Sequence, residues 1–250
     1  MRTIEAAIIG GTGVEQLQGT FTSEVVTTQY GDAQVHVGED MIFLSRHGAD
    51  HSLPPHRVNY RANLKALQML GVTTVLASFA VGTLSEAIPP GSIVVPDQLI
   101  DLTSGRDHSF VDGLSSGTIH MDFTEPFCAA LRASLIKMAA ASRLRIHTSG
   151  TYVCTNGPRR ETAAEVSMLS VIGADIVGMT AAPEAMLARE LGMHYASAAV
   201  PINWAAGIRG LTRIDQQARE SIRDLLLPLF QRTLQVPLDG NCTCQEHLRH

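Results

Sequence analysis

Little of this chain is aromatic and little of it is charged. Phe, Trp and Tyr make up 5% of residues, with a single Trp, and Asp, Glu, Lys and Arg make up 17%. Set against 45% hydrophobic residues, so small a charged fraction excludes a disordered chain, which needs low hydrophobicity and high net charge. A basic excess is missing too: 19 Lys and Arg face 24 Asp and Glu, a formal charge of −5. A duplex-binding protein needs the opposite sign, so nucleic acid is not an expected partner, and an anionic substrate must be met by a local cluster of donors. No run approaches the roughly 18 apolar residues of a membrane span. The longest candidates, Val75–Val81 and Leu225–Leu227, are core-sized, and no membrane partner is expected. Four cysteines (Cys128, Cys154, Cys242 and Cys244) in 250 residues are too few for a disulfide scaffold. The opening MRTIEAAIIGG is interrupted by Glu5 and followed at once by a glycine turn, so it reads as a first strand rather than a signal peptide. The expected compartment is the cytoplasm.

What is present is an alternation. Ala6–Ile9, Met41–Leu44, Thr74–Phe79, Ser92–Val95, Thr151–Cys154, Ile176–Gly178 and Ala196–Val200 are short apolar runs bounded by Gly, Pro or polar residues, as strands buried on both faces require. Between them lie helical patterns over Asn59–Leu70, Glu125–Ala141, Arg160–Ile172, Pro183–Leu191 and Asp215–Leu234. No linker, charge block or repeat interrupts them. The chain therefore reads as one α/β domain over residues 1–234, a mixed, mostly parallel sheet flanked by helices, with a tail over 235–250.

Polar clusters fall at the ends of these strands. Gly10-Gly11-Thr12-Gly13 follows the first strand, where converging N–H groups and a hydroxyl suit phosphate. It is neither a dinucleotide fingerprint nor a P-loop, because Gln16 stands where a third glycine belongs and no Gly-Lys-Ser/Thr follows. Ser45-Arg46-His47-Gly48 ends another strand and offers a guanidinium fork to an oxyanion. Asn156-Gly157-Pro158-Arg159-Arg160-Glu161-Thr162 joins strand to helix, and Glu161 suits either the opening turn of that helix or a ligand. Gly178-Met179-Thr180 precedes the next helix, with Thr180 either a cap or an anion donor. After the last strand, Pro201-Ile202-Asn203-Trp204 places an amide where it can read a heterocycle edge. Two groups of residues raise the question of a metal. His47, His51 and His56 invite a zinc hydrolase, but Gly48 and Pro54-Pro55 forbid the helix such spacing needs. Cys242, Cys244, His247 and His250 also suit a soft metal, although such tails are more often inert. No metal and no cofactor is expected.

The chain resembles the trimeric purine nucleoside phosphorylase family, and most closely its methylthioadenosine/methylthioinosine phosphorylase branch. The resemblance rests on AIIGGTG, FLSRHG, the His51–Asn63 run, SFAVGTL, IPPGSIVVPDQLIDLTSGR, the His120–Phe127 stretch, TNGPRRETAAE, GADIVGMTAAPEAMLARELG and YASAAVPIN, and spans roughly residues 5–230. It implies attack of inorganic phosphate, a co-substrate, on C1′ of a purine nucleoside. It implies that Thr12, Arg46, His47, the backbone N–H of Ala80 and Thr180 bind phosphate, that Met179 packs on the ribose, and that His120 reaches into a neighbouring subunit's site. The assembly it implies is a homotrimer, or a dimer of trimers.

The base site departs from the adenine-specific branch. Where that branch carries Thr-Asp-x-Asp, this chain reads Ile202-Asn203-Trp204-Ala205. The resemblance to 6-oxopurine enzymes pairs Asn203 with Glu161: a carboxylate accepts the N1–H that adenine lacks, and the amide donates to O6 or meets N7. Methylthioinosine or another 6-oxopurine nucleoside is therefore expected, with Asn203, Glu161 and His47 carrying the chemistry. Methylthioadenosine, inosine and guanosine are the alternatives. Near the 5′ position no His occurs over Leu211–Ile222, and Ile214 suits a methylthio group. Arg160 stands where relatives carry an apolar residue over the base. A binding protein on the same scaffold is expected to lose phosphate donors, which this chain retains.

Overall fold

The central strands are buried on both faces in the structure, a computed structural model that describes residues 4–14, 19–48, 50–111, 120–209, 213–238 and 240–246. In β1 (Ala6–Gly10), Ala7 and Ile9 enter one core cluster and Ile8 enters another on the opposite face. In β5 (Thr74–Thr83), Val75, Ala77, Phe79 and Val81 face the first cluster and Leu76 the second. Side chains on a strand alternate between faces, so a run that is apolar throughout has to be covered on both. Helices α1 (Tyr60–Met69) and α4 (Ala181–Glu190) contribute to the first cluster. The second takes α2 (Ala129–Ala141) and α6 (Leu227–Leu234).

The sheet is mixed and mostly parallel, as expected. Its order is β2 (Thr22–Thr28), β3 (Gly31–Val37), β4 (Ile42–Ser45), β1, β5, β10 (Ile176–Gly178), β9 (Thr151–Cys154) and β7 (Gln98–Asp101). From this path β11 (His194–Trp204) pairs with β5 and with β6 (Ile93–Val94), which in turn pairs with β8 (Ile146–His147). One detail positions the site. Along one edge of β5, β1 is paired only as far as Ala77, and β10 takes over from Gly82 in the opposite direction. Between Ser78 and Val81 that edge has changed neighbours, which is the kind of opening where α/β sheets hold ligands.

Several expected boundaries move, each for a local reason. The helix expected from Glu125 begins at Ala129, after Pro126, with the Cys128 sulfur accepting the Leu131 N–H at 3.4 Å. The helix expected from Arg160 is α3 (Ala163–Val171), with Thr162 at its N-cap in a reciprocal box with Glu165. The long final helix is divided into α5 (Gln216–Ser221), a π turn over Ile222–Leu226, and α6. Pro228 lacks the N–H that would continue an i→i−4 ladder, so the wider turn falls just before it. The β2–β3 hairpin has no counterpart in the sequence reading, because its strands are mostly exposed and polar and show no apolar run.

Candidate active site

The loop after β1 is shaped by its glycines. A Cβ on Gly11 would lie 2.5 Å from Arg46 Nη1 and 2.6 Å from the Ser78 carbonyl, so the chain passes this point only without a side chain. The Gly11 N–H donates to Ser78 Oγ at 3.0 Å, which ties the loop to β5 at the point where that strand changes neighbours. Thr12 then faces a cavity of about 540 Å³, within the usual size of a small-molecule site.

Into this cavity the fold brings Thr12, His47, Ala80, Arg160, Glu161, Met179, Thr180, Asn203 and Ile214. Thr180 sits at the N-cap of α4 without using its side chain as a cap, so the bland capping role is not the one it plays. His47 follows β4; its Nδ1 lies 2.8 Å from the Leu53 carbonyl, an acceptor only, which assigns the proton to Nδ1. Of the two roles open to Glu161, the opening of α3 is taken by Thr162 and Glu165. Glu161 instead accepts a hydrogen bond from Thr155 Oγ1 at 2.7 Å, which uses one of its lone-pair positions and turns it toward the cavity. Asn203 lies at a register shift between β11 and β5; such a shift re-aims a side chain. Its amide donates to the Trp204 carbonyl at 2.8 Å.

Two expected residues are placed elsewhere. Arg46 does not line the cavity. It is 1% exposed, its Nε and Nη2 donate to the two oxygens of Glu184 at 2.7 Å each, and its Nη1 donates to the Ser78 carbonyl at 2.9 Å. Burial alone disfavours its charge, but the Glu184 carboxylate and its hydrogen bonds outweigh that, and the guanidinium stays charged directly behind the Gly11 loop. His120 is exposed and lies outside its own chain's cavity.

Other residues went unread in the sequence. His51 was weighed only as a metal ligand; it lines the cavity, 3.4 Å from Thr12 Oγ1 and with its ring centre 4.7 Å from that of His47. Arg106 lies beneath the site, where Nη1 donates to the Met179 carbonyl at 2.6 Å and Nη2 to the Asn156 carbonyl at 2.7 Å, joining the β9 and β10 loops. Both residues stand in stretches that carried the family resemblance, but only the fold gives them partners. Leu53, Ile202 and Ile214 supply an apolar portion of the wall. No metal-ligating cluster involving His47, His51 and His56 occurs among the described residues. His247 and His250 lie outside the described residues.

Fold and site together define an α/β protein with a ligand cavity at the carboxyl ends of its strands, polar at the β1 and β10 loops and mixed elsewhere. The phosphorylase superfamily profile matches residues 5–229, and the chain belongs to that superfamily. It is 42% identical to the 6-oxopurine nucleoside phosphorylase of Pyrococcus furiosus, covering 97% of both chains. It is 46% identical to a probable S-methyl-5′-thioinosine phosphorylase of Xylella fastidiosa over 83% of this chain and 91% of that one. A methylthioadenosine-bound variant of the adenosine/methylthioadenosine phosphorylase of Schistosoma mansoni superposes with a TM-score of 0.83 at 33% identity, covering 93% and 95% of the two chains. No described helix is long and apolar enough to cross a membrane.

Proposed function

We propose that this protein catalyses the phosphorolysis of a 5′-methylthio purine nucleoside to free purine and 5-methylthioribose 1-phosphate, and that its preferred substrate is the 6-oxopurine methylthioinosine. The observation that carries this reading is the pair Glu161 and Asn203 facing one cavity with Thr12, Ala80 and Thr180. Phosphate oxygen attacks C1′ as the C1′–N9 bond breaks; the bond's electron pair leaves with the purine, which takes up, in net terms, the proton that hydrogen phosphate gives up. Positive charge develops on the sugar and negative charge on the base. Phosphate held by Thr12, Thr180, His47 and the Ala80 N–H stabilises the first, with Arg46 fixing the loop from behind. Asn203, donating at N7 or O6, meets the second, while Glu161, accepting N1–H, orients the base and selects a 6-oxopurine. Holding phosphate beneath C1′ also supplies much of the rate advantage by position. Met179 packs on the ribose, Arg160 lies over the base, and Ile214 with Leu53 and Ile202 receives the 5′ substituent. The scheme uses phosphate as co-substrate and routes no step through a metal or cofactor.

Inosine and guanosine are the second reading, favoured by relatives named as 6-oxopurine nucleoside phosphorylases. We further propose a homotrimer, or a dimer of trimers, in which the exposed His120 completes a neighbour's site, and a role in purine salvage in the cytoplasm. Purine release from methylthioinosine, methylthioadenosine and inosine, each with and without phosphate, tests the reaction. Phosphate-dependent release favouring methylthioinosine is the expected result. Preference for methylthioadenosine overturns the base assignment, preference for inosine overturns the 5′ assignment, and no phosphate-dependent release overturns the reaction.

A further inference from the structure

At the opposite end of β11 from Asn203, four side chains distant in sequence converge. They are Cys128 at the N-cap of α2, His194 at the start of β11, and Cys242 and Cys244 in the segment beyond α6. Their ligand atoms all lie within 4.8 Å of one another. His194 Nδ1 is 3.5 Å from Cys128 Sγ and 3.2 Å from Cys242 Sγ. One ring nitrogen presents one proton or one lone pair, so hydrogen bonding covers both approaches only as a shared, three-centre contact. A metal at the centre explains both. Zinc in a tetrahedron of thiolates at about 2.3 Å and imidazole at about 2.0 Å sets sulfur–nitrogen separations near 3.5 Å and sulfur–sulfur separations near 3.8 Å.

We infer that Cys128, His194, Cys242 and Cys244 form a structural Cys₃His site for a thiophilic divalent ion, zinc by its coordination chemistry. The surroundings suit it. Cys128 and Cys244 are buried in the second core cluster, where an ion is held by the fold rather than by a loose tail. The Leu131 N–H points at Cys128 Sγ, an outer hydrogen bond of the kind that steadies a thiolate ligand. Zinc with three thiolates carries a net charge of −1. Arg189, 5% exposed and beside Cys128 and Cys244, donates to Thr243 Oγ1 between the two tail cysteines at 3.2 Å and supplies the opposite charge. Binding displaces the thiol protons to solvent and needs no oxidant. The site fastens the segment after α6 onto α2 and β11. His194 and Asn203 lie nine residue steps apart along the strand, about 30 Å, so the site shares no group with the nucleoside cavity.

The test uses the full-length untagged protein, isolated from zinc-supplemented cells without chelator. Expected are about one zinc per chain, released as a mercurial blocks the thiols, and cobalt substitution giving the intense visible and thiolate charge-transfer bands of a tetrahedral thiolate site. Alkylation followed by peptide mapping should find Cys128, Cys242 and Cys244 protected until the metal is removed. Cys244→Ser should weaken zinc binding more than about 100-fold, beyond the loss expected from an outer-shell partner. It should lower Tm and leave phosphorolysis within about twofold, as distant sites act independently. Protein that stays metal-free after zinc loading, with its thiols free or paired as disulfides, overturns the inference. So does zinc bound equally well by Cys244→Ser. Should that variant fail to fold, the cobalt spectrum and the protection pattern of the unaltered protein decide the matter.

Discussion

The two ends of β11 differ in how their side chains are assembled. At the carboxyl end, Asn203 meets residues that each follow a strand within a few positions: Thr12 after β1, His47 after β4, Thr180 after β10. The sheet gathers them, and each carries its own local signature of glycine, proline or a polar cluster. At the amino end, His194 meets Cys128 from a helix cap and two cysteines from beyond α6. Nothing local marks that meeting. Polar groups converge at one end because strands end there, and at the other because tertiary packing closes a chain terminus onto the core. The first arrangement suits a ligand that enters and leaves, and the second suits one that stays.

The largest expected effect tests whether the cavity end depends on what lies behind it. Arg46→Ala leaves Glu184 buried without its guanidinium partner, although the Tyr195 hydroxyl still donates to it at 2.8 Å. Breaking a buried pair by removing one partner costs about 3–5 kcal/mol. The loop at Gly11 also loses its support. Urea unfolding should therefore show a stability loss of that order, and initial rates should show the phosphate KM rising far more than the nucleoside KM. A stability loss with equal changes in the two KM values would reduce Arg46 to scaffold.

Next come the residues that distinguish one base from another. Asn203→Asp should shift preference toward 6-amino purines, because a carboxylate accepts from the N6 amine. Glu161→Gln should depress phosphorolysis of methylthioinosine more than that of methylthioadenosine. Sites that hydrogen-bond a substrate group reject the analogue lacking it by about 10²-fold or more, so the ratio of kcat/KM values for the two nucleosides should move by that order. An unchanged ratio removes both residues from the base site. Neither substitution should alter metal content at the far end of β11, whereas Cys242→Ser should abolish it and leave that ratio alone.

Much of the cavity end was legible because strand ends are punctuated. Glycine and proline bound short apolar runs, and the polar residues just beyond them point where ligands bind. Part of what stayed hidden depended on partners far along the chain. Arg46 reads as an oxyanion fork until Glu184, 138 positions away, proves to hold it. Glu161 reads as either a helix opener or a ligand group until the Thr162–Glu165 box takes the first role. His51 reads as one of a histidine series until the turn at Gly48 carries it back beside His47 and Thr12. The β2–β3 hairpin escaped because it holds no continuous apolar run: β2 is mostly exposed, and in β3 only alternate residues, Ala33 and Val35, are buried. Of the thiol cluster, only the Cys-x-Cys spacing was visible. Its other two members come from elements that no local rule connects to the chain's end.

The smallest effect separates chemistry from scaffold within the cavity end itself. Glu165 stands four residues after Glu161, yet it serves only α3: it accepts the Thr162 N–H at 2.7 Å and pairs with Arg159 at 2.6 Å. The Arg159 hydrogen bond, followed by that N–H, pulls its carboxyl from 4.5 down to about 2. A carboxylate with a lowered folded-state pKa contributes its stability above the unfolded value and loses it as pH falls through the folded one. The stability advantage of the native protein over Glu165→Gln should therefore be largest above about pH 4.5 and vanish near pH 2. Both groups are solvent-exposed, so the advantage should be small and should shrink with added salt. Denaturation midpoints across that range, at low and high salt, measure it. Substrate preference should not change with the substitution; a change would mean that the cap also orients Glu161, in the loop just before α3.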